Sequence, residues 1–175
     1  GGEKDIMKMM GQSIGDVAPM IVLAFFAGQF IDFLRYSRLD QMTAMTALIS
    51  GGVFDRHPRL RAAFLEAGVT WVPYFLDRLH EHWQKRGDWI ENGWQRDPRD
   101  YVAAGNVWVS CEAGETLLPA VVDALGADFI LYASDYPHWD SAFPNSTRTL
   151  RERADLGADA RSKILGTNAK RFFGL

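Results

Sequence analysis

Apolar and polar positions follow two different rhythms along this 175-residue chain. Over residues 1–57 the apolar positions recur at helical spacing and nowhere alternate as a half-buried strand would. The pattern predicts helices at Ile6–Met10, Val17–Tyr36 and Leu39–Phe54, the last loosened near its end by Gly51 and Gly52. The longest uncharged stretch, Val17–Ile31, is interrupted by Pro19, Gly28 and Gln29. A bilayer span needs about 20 predominantly apolar residues, so this stretch predicts a buried helix and not a membrane segment.

From residue 58 a strand–helix rhythm starts and runs three times. Leu60–Glu66 is a mostly apolar run of strand length, and Thr70–Arg86 places Val72, Phe75, Leu76, Leu79 and Trp83 on one helical face. After an irregular insertion, Gly87–Asp100, the rhythm resumes with strand Asn106–Glu112 and helix Thr116–Leu125, which Gly126 caps. Strand Phe129–Asp135 and helix Ser146–Leu156 follow, and then a helical pair, Asp159–Leu165 and Thr167–Phe173, separated by Gly166. Near-continuous apolar strands alternating with amphipathic helices mean parallel pairing with both sheet faces covered. Right-handed crossovers set the three strands side by side, pointing the same way. Three strands alone leave open edges, so the fold class is α/β, the C-terminal part of a (β/α)8 barrel of ~250 residues. The chain therefore reads as one partial barrel domain, a helical segment 1–57 followed by three strand–helix units over 58–175.

Composition narrows the function. Lys and Arg number 19 against 22 Asp and Glu, a net charge of −3 without a basic run, which argues against nucleic acid as a partner. The single cysteine, Cys111, has no internal partner for a disulfide, and no charged-then-apolar leader opens the sequence, so a cytoplasmic location is expected. There is no GxGxxG, Walker loop, GxSxG or CxxC motif.

The candidate chemistry lies at the strand ends. All three predicted strands close on a carboxylate: Glu66, Glu112 and Asp135. Ligands of parallel α/β folds bind at the carboxyl ends of the strands, and three acids converging there need a cation among them or a raised pKa. Alternatively, each acid caps the helix that follows it. Asp135 leads into an aromatic turn, Tyr136-Pro137-His138-Trp139-Asp140, where His138 either reaches the same pocket or bonds only the backbone. His80 and His82 lie two residues apart in a predicted helix, about 200° around its axis, and read as a solvated face and not as joint ligands. His57 reads as a surface residue and Cys111 as a buried filler. Trp71, Trp108 and Trp139 stand near strand ends, where one or two can wall a pocket for a flat substrate.

Several stretches, taken in order, resemble one known family. They are Ser50-Gly51-Gly52-Val53-Phe54-Asp55-Arg56-His57-Pro58-Arg59-Leu60-Arg61, then Phe64-Leu65-Glu66-Ala67-Gly68 with Trp71-Val72-Pro73-Tyr74. Ala133-Ser134-Asp135-Tyr136-Pro137-His138-Trp139-Asp140 follows, and Lys163-Ile164-Leu165-Gly166-Thr167-Asn168-Ala169 with Phe172-Phe173-Gly174-Leu175 closes the series. Together they resemble the C-terminal half of the amidohydrolase-related proteins, in the branch that includes aminocarboxymuconate-semialdehyde decarboxylase. The resemblance implies a (β/α)8 barrel with one divalent metal, most often Zn2+, activating a water for hydrolysis or non-oxidative decarboxylation of a small carboxylated or cyclic substrate. Asp135 matches the eighth-strand carboxylate that binds the metal or its water. Glu66 stands where many relatives carry a histidine and takes a catalytic role as base or ligand. Glu112, His138 and Trp139 are expected to contact substrate. The family's first-strand His-x-His and fifth-strand histidine have no counterpart here, so the chain alone is expected to bind zinc poorly and turn over little. The apolar segment 14–54 suits burial against another subunit or against the missing half of the barrel, and a homodimer is expected. The competing expectation is a non-catalytic half-barrel serving as a structural or interaction module.

Overall fold

The computed structural model describes residues 39–139 and 141–175, together with 2, 5, 7, 12, 19, 20, 22–31, 33 and 37. The chain divides into two compact units, Gly1–Asp40 and Gln41–Leu175. In the first, residues 22–31 are helical, as expected. Most of the predicted Ile6–Met10 helix, and the predicted helical positions 17, 18, 21, 32 and 34–36, lie outside the described residues. Within this chain Leu23, Phe25, Phe26 and Phe30 are exposed, so the cover expected for them is not supplied by its own residues. A 40-residue unit carries too little surface to cover a helix that is apolar on several sides. Among the described residues no helix is long and apolar enough to cross a membrane.

The second unit is built on three parallel strands, β1 (Ala62–Phe64), β2 (Val107–Cys111) and β3 (Ile130–Tyr132), in the order β1-β2-β3. Ala63 pairs with Trp108 and Ser110 with Leu131. The central strand is buried along its whole length, and Val107, Val109, Phe64 and Ile130 carry the core between sheet and helices. Helices α1 (Leu39–Ser50) and α2 (Val53–Arg56) precede β1, and α3 (Val72–Arg86) and α4 (Pro98–Ala103) cross to β2. Helix α5 (Leu118–Leu125) crosses to β3, and α6 (Ser146–Arg151), α7 (Ala158–Ser162) and α8 (Asn168–Phe173) close the chain. This is the α/β architecture of a (β/α)8-barrel portion: parallel strands, each followed by a helix.

Three local features depart from the sequence pattern. The strands are shorter than their apolar runs, and beyond β1 and β3 the backbone turns left-handed at Glu66 and Asp135. Gly166 does not separate two helices; it lies within a π-turn, Lys163–Thr167, that joins α7 to α8 without a break. The Gly87–Asp100 insertion holds a 3₁₀ turn, Gly87–Trp89, and leads into α4 through Asp97, whose carboxylate caps the helix by accepting from Arg99 N at 3.0 Å. Gly51 and Gly52 do loosen the helical run as expected, splitting α1 from α2. Gly52 has φ of +65°, and a Cβ there would lie 2.5 Å from Asn92 O, so the close approach of the insertion requires glycine.

The amino ends of the strands are pinned by side-chain amides. Asn106 Nδ2 donates to Pro58 O and Leu60 O at 2.9 and 2.8 Å, and the fully buried Asn168 donates to Ala127 O and Ile130 O, both at 2.7 Å. Arg61 Nη1 donates to the last carbonyls of α8, at Arg171 and Phe172, drawing the C-terminal helix onto the start of β1.

Candidate metal centre

The opposite, carboxyl ends of the strands carry the chemistry. Past β1 the chain reaches Glu66 at φ +61°, and past β3 it reaches Asp135 at φ +56°. A side chain in this left-handed region costs of order 1–3 kcal/mol and persists only where the surroundings dictate it. At Glu66 the N–H donates to Ser110 Oγ on β2 at 3.0 Å, and Ser110 is buried. At Asp135 the carbonyl accepts from His138 N at 2.9 Å, so the chain folds back and brings the imidazole over the carboxylate. Ser141 Oγ donates to Ser134 O at 2.5 Å, closing the same loop, and its Tyr136 and Phe143 rings pack at 4.6 Å.

These two turns unite three of the expected residues. Glu66, Asp135 and His138 each offer one ligand atom, and the three atoms lie within 4.8 Å of one another. His138 Nδ1 is 2.9 Å from Asp135 Oδ1, an ion-pair separation without hydrogen-bond alignment, so that buried oxygen has no hydrogen-bond partner among the described residues. A buried carboxylate oxygen without a donor is costly unless a cation supplies the missing charge. The donor set is two carboxylates and one imidazole, on the face open to solvent, and it fits a divalent ion that accepts oxygen and nitrogen ligands.

The remaining candidates are placed differently. Glu112 is exposed and outside this triad, and its N–H donates to Glu115 Oε1 at 2.7 Å. Trp139 is 96% exposed. Trp71 is tied locally, Nε1 donating to Gly68 O at 2.9 Å. Trp108 sits at the wrong end for a pocket wall, because it belongs to the amino-terminal half of β2, where Nε1 donates to Gly105 O at 2.7 Å and the ring meets Phe172. His57 and His82 are exposed as expected. His80 is not a solvated group: its Nδ1 lies 2.7 Å from Asp97 Oδ2, because the insertion folds back along α3. Arg99, hydrogen-bonded to Asp97, holds that carboxyl below the usual range. Cys111 is buried and unpaired with another cysteine, and burial pushes its thiol up to about 12, so it is no nucleophile at neutral pH.

Sequence reasoning missed three residues that support the site: Ser110, Glu115 and Arg153. Glu115 lies three positions beyond Glu112, and the apolar run that predicts β2 stops before it. The only sequence signal is an acid just ahead of a helix, which is common.

Comparisons with known proteins establish the family and the fold. The sequence profile of the amidohydrolase family matches residues 27–175. A 2-amino-3-carboxymuconate-6-semialdehyde decarboxylase from Dictyostelium discoideum is 28% identical over 137 residues, covering 75% of this chain and 36% of that protein. The crystal structure of an amidohydrolase from Mycobacterium avium subsp. paratuberculosis K-10 superposes with a TM-score of 0.65 at 27% identity, over 77% of this chain and 33% of the other. That of 5-carboxyvanillate decarboxylase from Novosphingobium aromaticivorans, complexed with manganese and 4-hydroxy-3-methoxy-5-nitrobenzoic acid, gives 0.62 at 27% identity, over 77% and 38%. The chain thus spans little more than a third of the length of the relatives it matches.

Proposed function

Because the chain belongs to the amidohydrolase family, we propose that it supplies the eighth-strand side of a metal-dependent active site that removes carboxylate from a small carboxylated ring compound. The observation that carries this reading is the buried Oδ1 of Asp135, with no hydrogen-bond partner among the described residues, in one cluster with Glu66 and His138. Asp135 would hold the ion, with Glu66 and His138 as its neighbours. Such an ion supplies positive charge for a substrate carboxylate and acidifies a bound water. Mn2+ suits the two carboxylates and is the ion bound by the 5-carboxyvanillate decarboxylase, while Zn2+ suits the imidazole.

The other roles follow from exposure. Glu66 reaches solvent at the rim, and a carboxyl group there can carry a proton to or from the reacting carbon. His138 stands half in solvent, where its N–H can donate to a substrate carboxylate. Glu112 and Trp139 are further contacts at the mouth. Hydrolysis is the second reading, since family relatives include an amidohydrolase, and it needs the same residues. The one histidine pair two residues apart, His80 and His82, lies in helix α3 and not on a strand, and no histidine of the fifth-strand kind occurs in this sequence, so the chain by itself is expected to hold metal weakly and turn over little. A homodimer through the helical segment 14–54 and a cytoplasmic location complete the proposal.

Calorimetric titration of the 175-residue chain with Zn2+ and Mn2+ tests it. We expect weak one-to-one binding that Asp135→Ala abolishes. Sub-micromolar affinity would contradict the weak-binding expectation. Metal uptake unaltered by Asp135→Ala would favour the non-catalytic module instead.

A further inference from the structure

Glu66 and Asp135 follow strands that are not neighbours: β2 separates β1 from β3. Their approach must therefore be set through β2 and the loop that follows it. Two charged side chains span that route. Glu115 accepts from Val69 N at 2.9 Å and Thr70 N at 3.2 Å, both in the turn that carries Glu66, and from Glu112 N at 2.7 Å in its own loop. Arg153, beyond α6 on the β3 side, donates through Nη1 to Ala113 O at 3.2 Å and Glu115 O at 2.7 Å. Its other nitrogen is held by Asp155 at 2.7 Å, and only 12% of the side chain is exposed.

The turn is shaped to receive Glu115. Gly68 has φ of +63°, and a Cβ there would meet the Glu115 carboxylate at 3.2 Å. Ser110, accepting the Glu66 N–H, holds the same turn from the strand side. A carboxylate taking three backbone N–H groups, with a guanidinium on the carbonyls of the same loop, makes charge-assisted bonds of the strong kind.

We infer that Glu115 is a positioning residue, bolted in place by Arg153, which fixes Glu66 relative to Asp135 and His138. The inference rests on the metal-site reading above for its purpose, though not for its geometry. Residues that orient ligands from behind typically cost 10–100-fold in metal affinity when replaced.

The test uses Glu115→Gln, which puts an amide NH2 where one carboxylate oxygen accepts backbone N–H, and Glu115→Asp as the conservative variant. Asn168→Ala, at the amino end of β3, is the control for lost stability. Mn2+ affinity is read by electron paramagnetic resonance on the full chain, and crystal structures of the metal-free variants are compared. We expect Glu115→Gln to lose 10–100-fold in affinity, Glu115→Asp to recover part of it, and Asn168→Ala to lose none. The Glu66 carboxylate should leave the Asp135–His138 pair in Glu115→Gln crystals. A Glu66 carboxylate that stays in place, or an affinity loss no greater than in Asn168→Ala, would overturn the inference. If the unaltered chain binds no Mn2+ at all, the metal reading falls, and the crystals alone decide whether Glu115 positions Glu66.

Discussion

The two ends of the sheet are built for opposite purposes. At the amino end, Asn106 and Asn168 spend their amides on backbone carbonyls, and Asp128 is held by Lys163 and Arg171 at 3.0 and 2.8 Å. At the carboxyl end, the backbone is left-handed at Glu66 and Asp135, and a buried carboxylate oxygen is left without a donor among the described residues. At the amino end these side chains secure the backbone; at the carboxyl end Glu115 and Arg153 do the same, while Glu66, Asp135 and His138 are gathered into one cluster. In (β/α)8 barrels that asymmetry separates stability from chemistry.

Substitutions at the two ends should therefore separate cleanly. The largest effect is expected from Asp135→Ala, which should weaken Mn2+ binding at least ~100-fold, about 3 kcal/mol, while far-ultraviolet circular dichroism stays unchanged. Loss of the helical signal would erase the contrast between the ends. Next comes Asn168→Ala: it strips the donors from two carbonyls and should lower unfolding free energy by about 2–4 kcal/mol in a urea titration, with metal affinity untouched. A change in affinity here would mean that the ends are coupled.

Glu66→Gln is expected to sit lower, at about a tenfold loss of metal affinity with little change in stability, because the group is exposed. Stabilisation of about 1 kcal/mol by the same change would show that the acids repel each other without an ion, sharpening the case for a cation between them. The smallest effect concerns acid. Hydrogen bonding to Lys163 depresses the Asp128 pKa in the folded chain. Its contribution is then complete above the unfolded carboxylate value of about 3.9 and disappears as pH falls through the lower folded value. For so exposed a pair it should amount to at most ~1 kcal/mol in urea midpoints compared at pH 6 and pH 3 between the parent chain and Asp128→Asn.

How far the sequence reveals this contrast depends on distance along the chain. The three strands, their parallel order and the acids that end two of the turns are legible because each depends on a local run: apolar strand, turn, amphipathic helix. Glu66, Asp135 and His138 follow from that reading, and the last two are only three residues apart. What is not legible depends on pairings across the fold. Glu112 attracts notice because it ends a strand, yet Glu115 does the bracing, and its partners Val69 and Thr70 lie over forty residues away. His80 looks like a solvated helix residue until Asp97 folds back beside it. The exposed helix at residues 22–31 is a different case: apolar pattern reports a need for cover, and not what provides it.

The burial of Cys111 has a practical side. A thiol whose pKa is pushed up to about 12 stays unreactive toward maleimides near neutrality, so the native chain carries no competing label. A cysteine introduced at the outermost indole position, Trp139→Cys, would take a fluorophore or spin probe alone, giving a reporter a few residues from the carboxylate cluster without first engineering the protein silent.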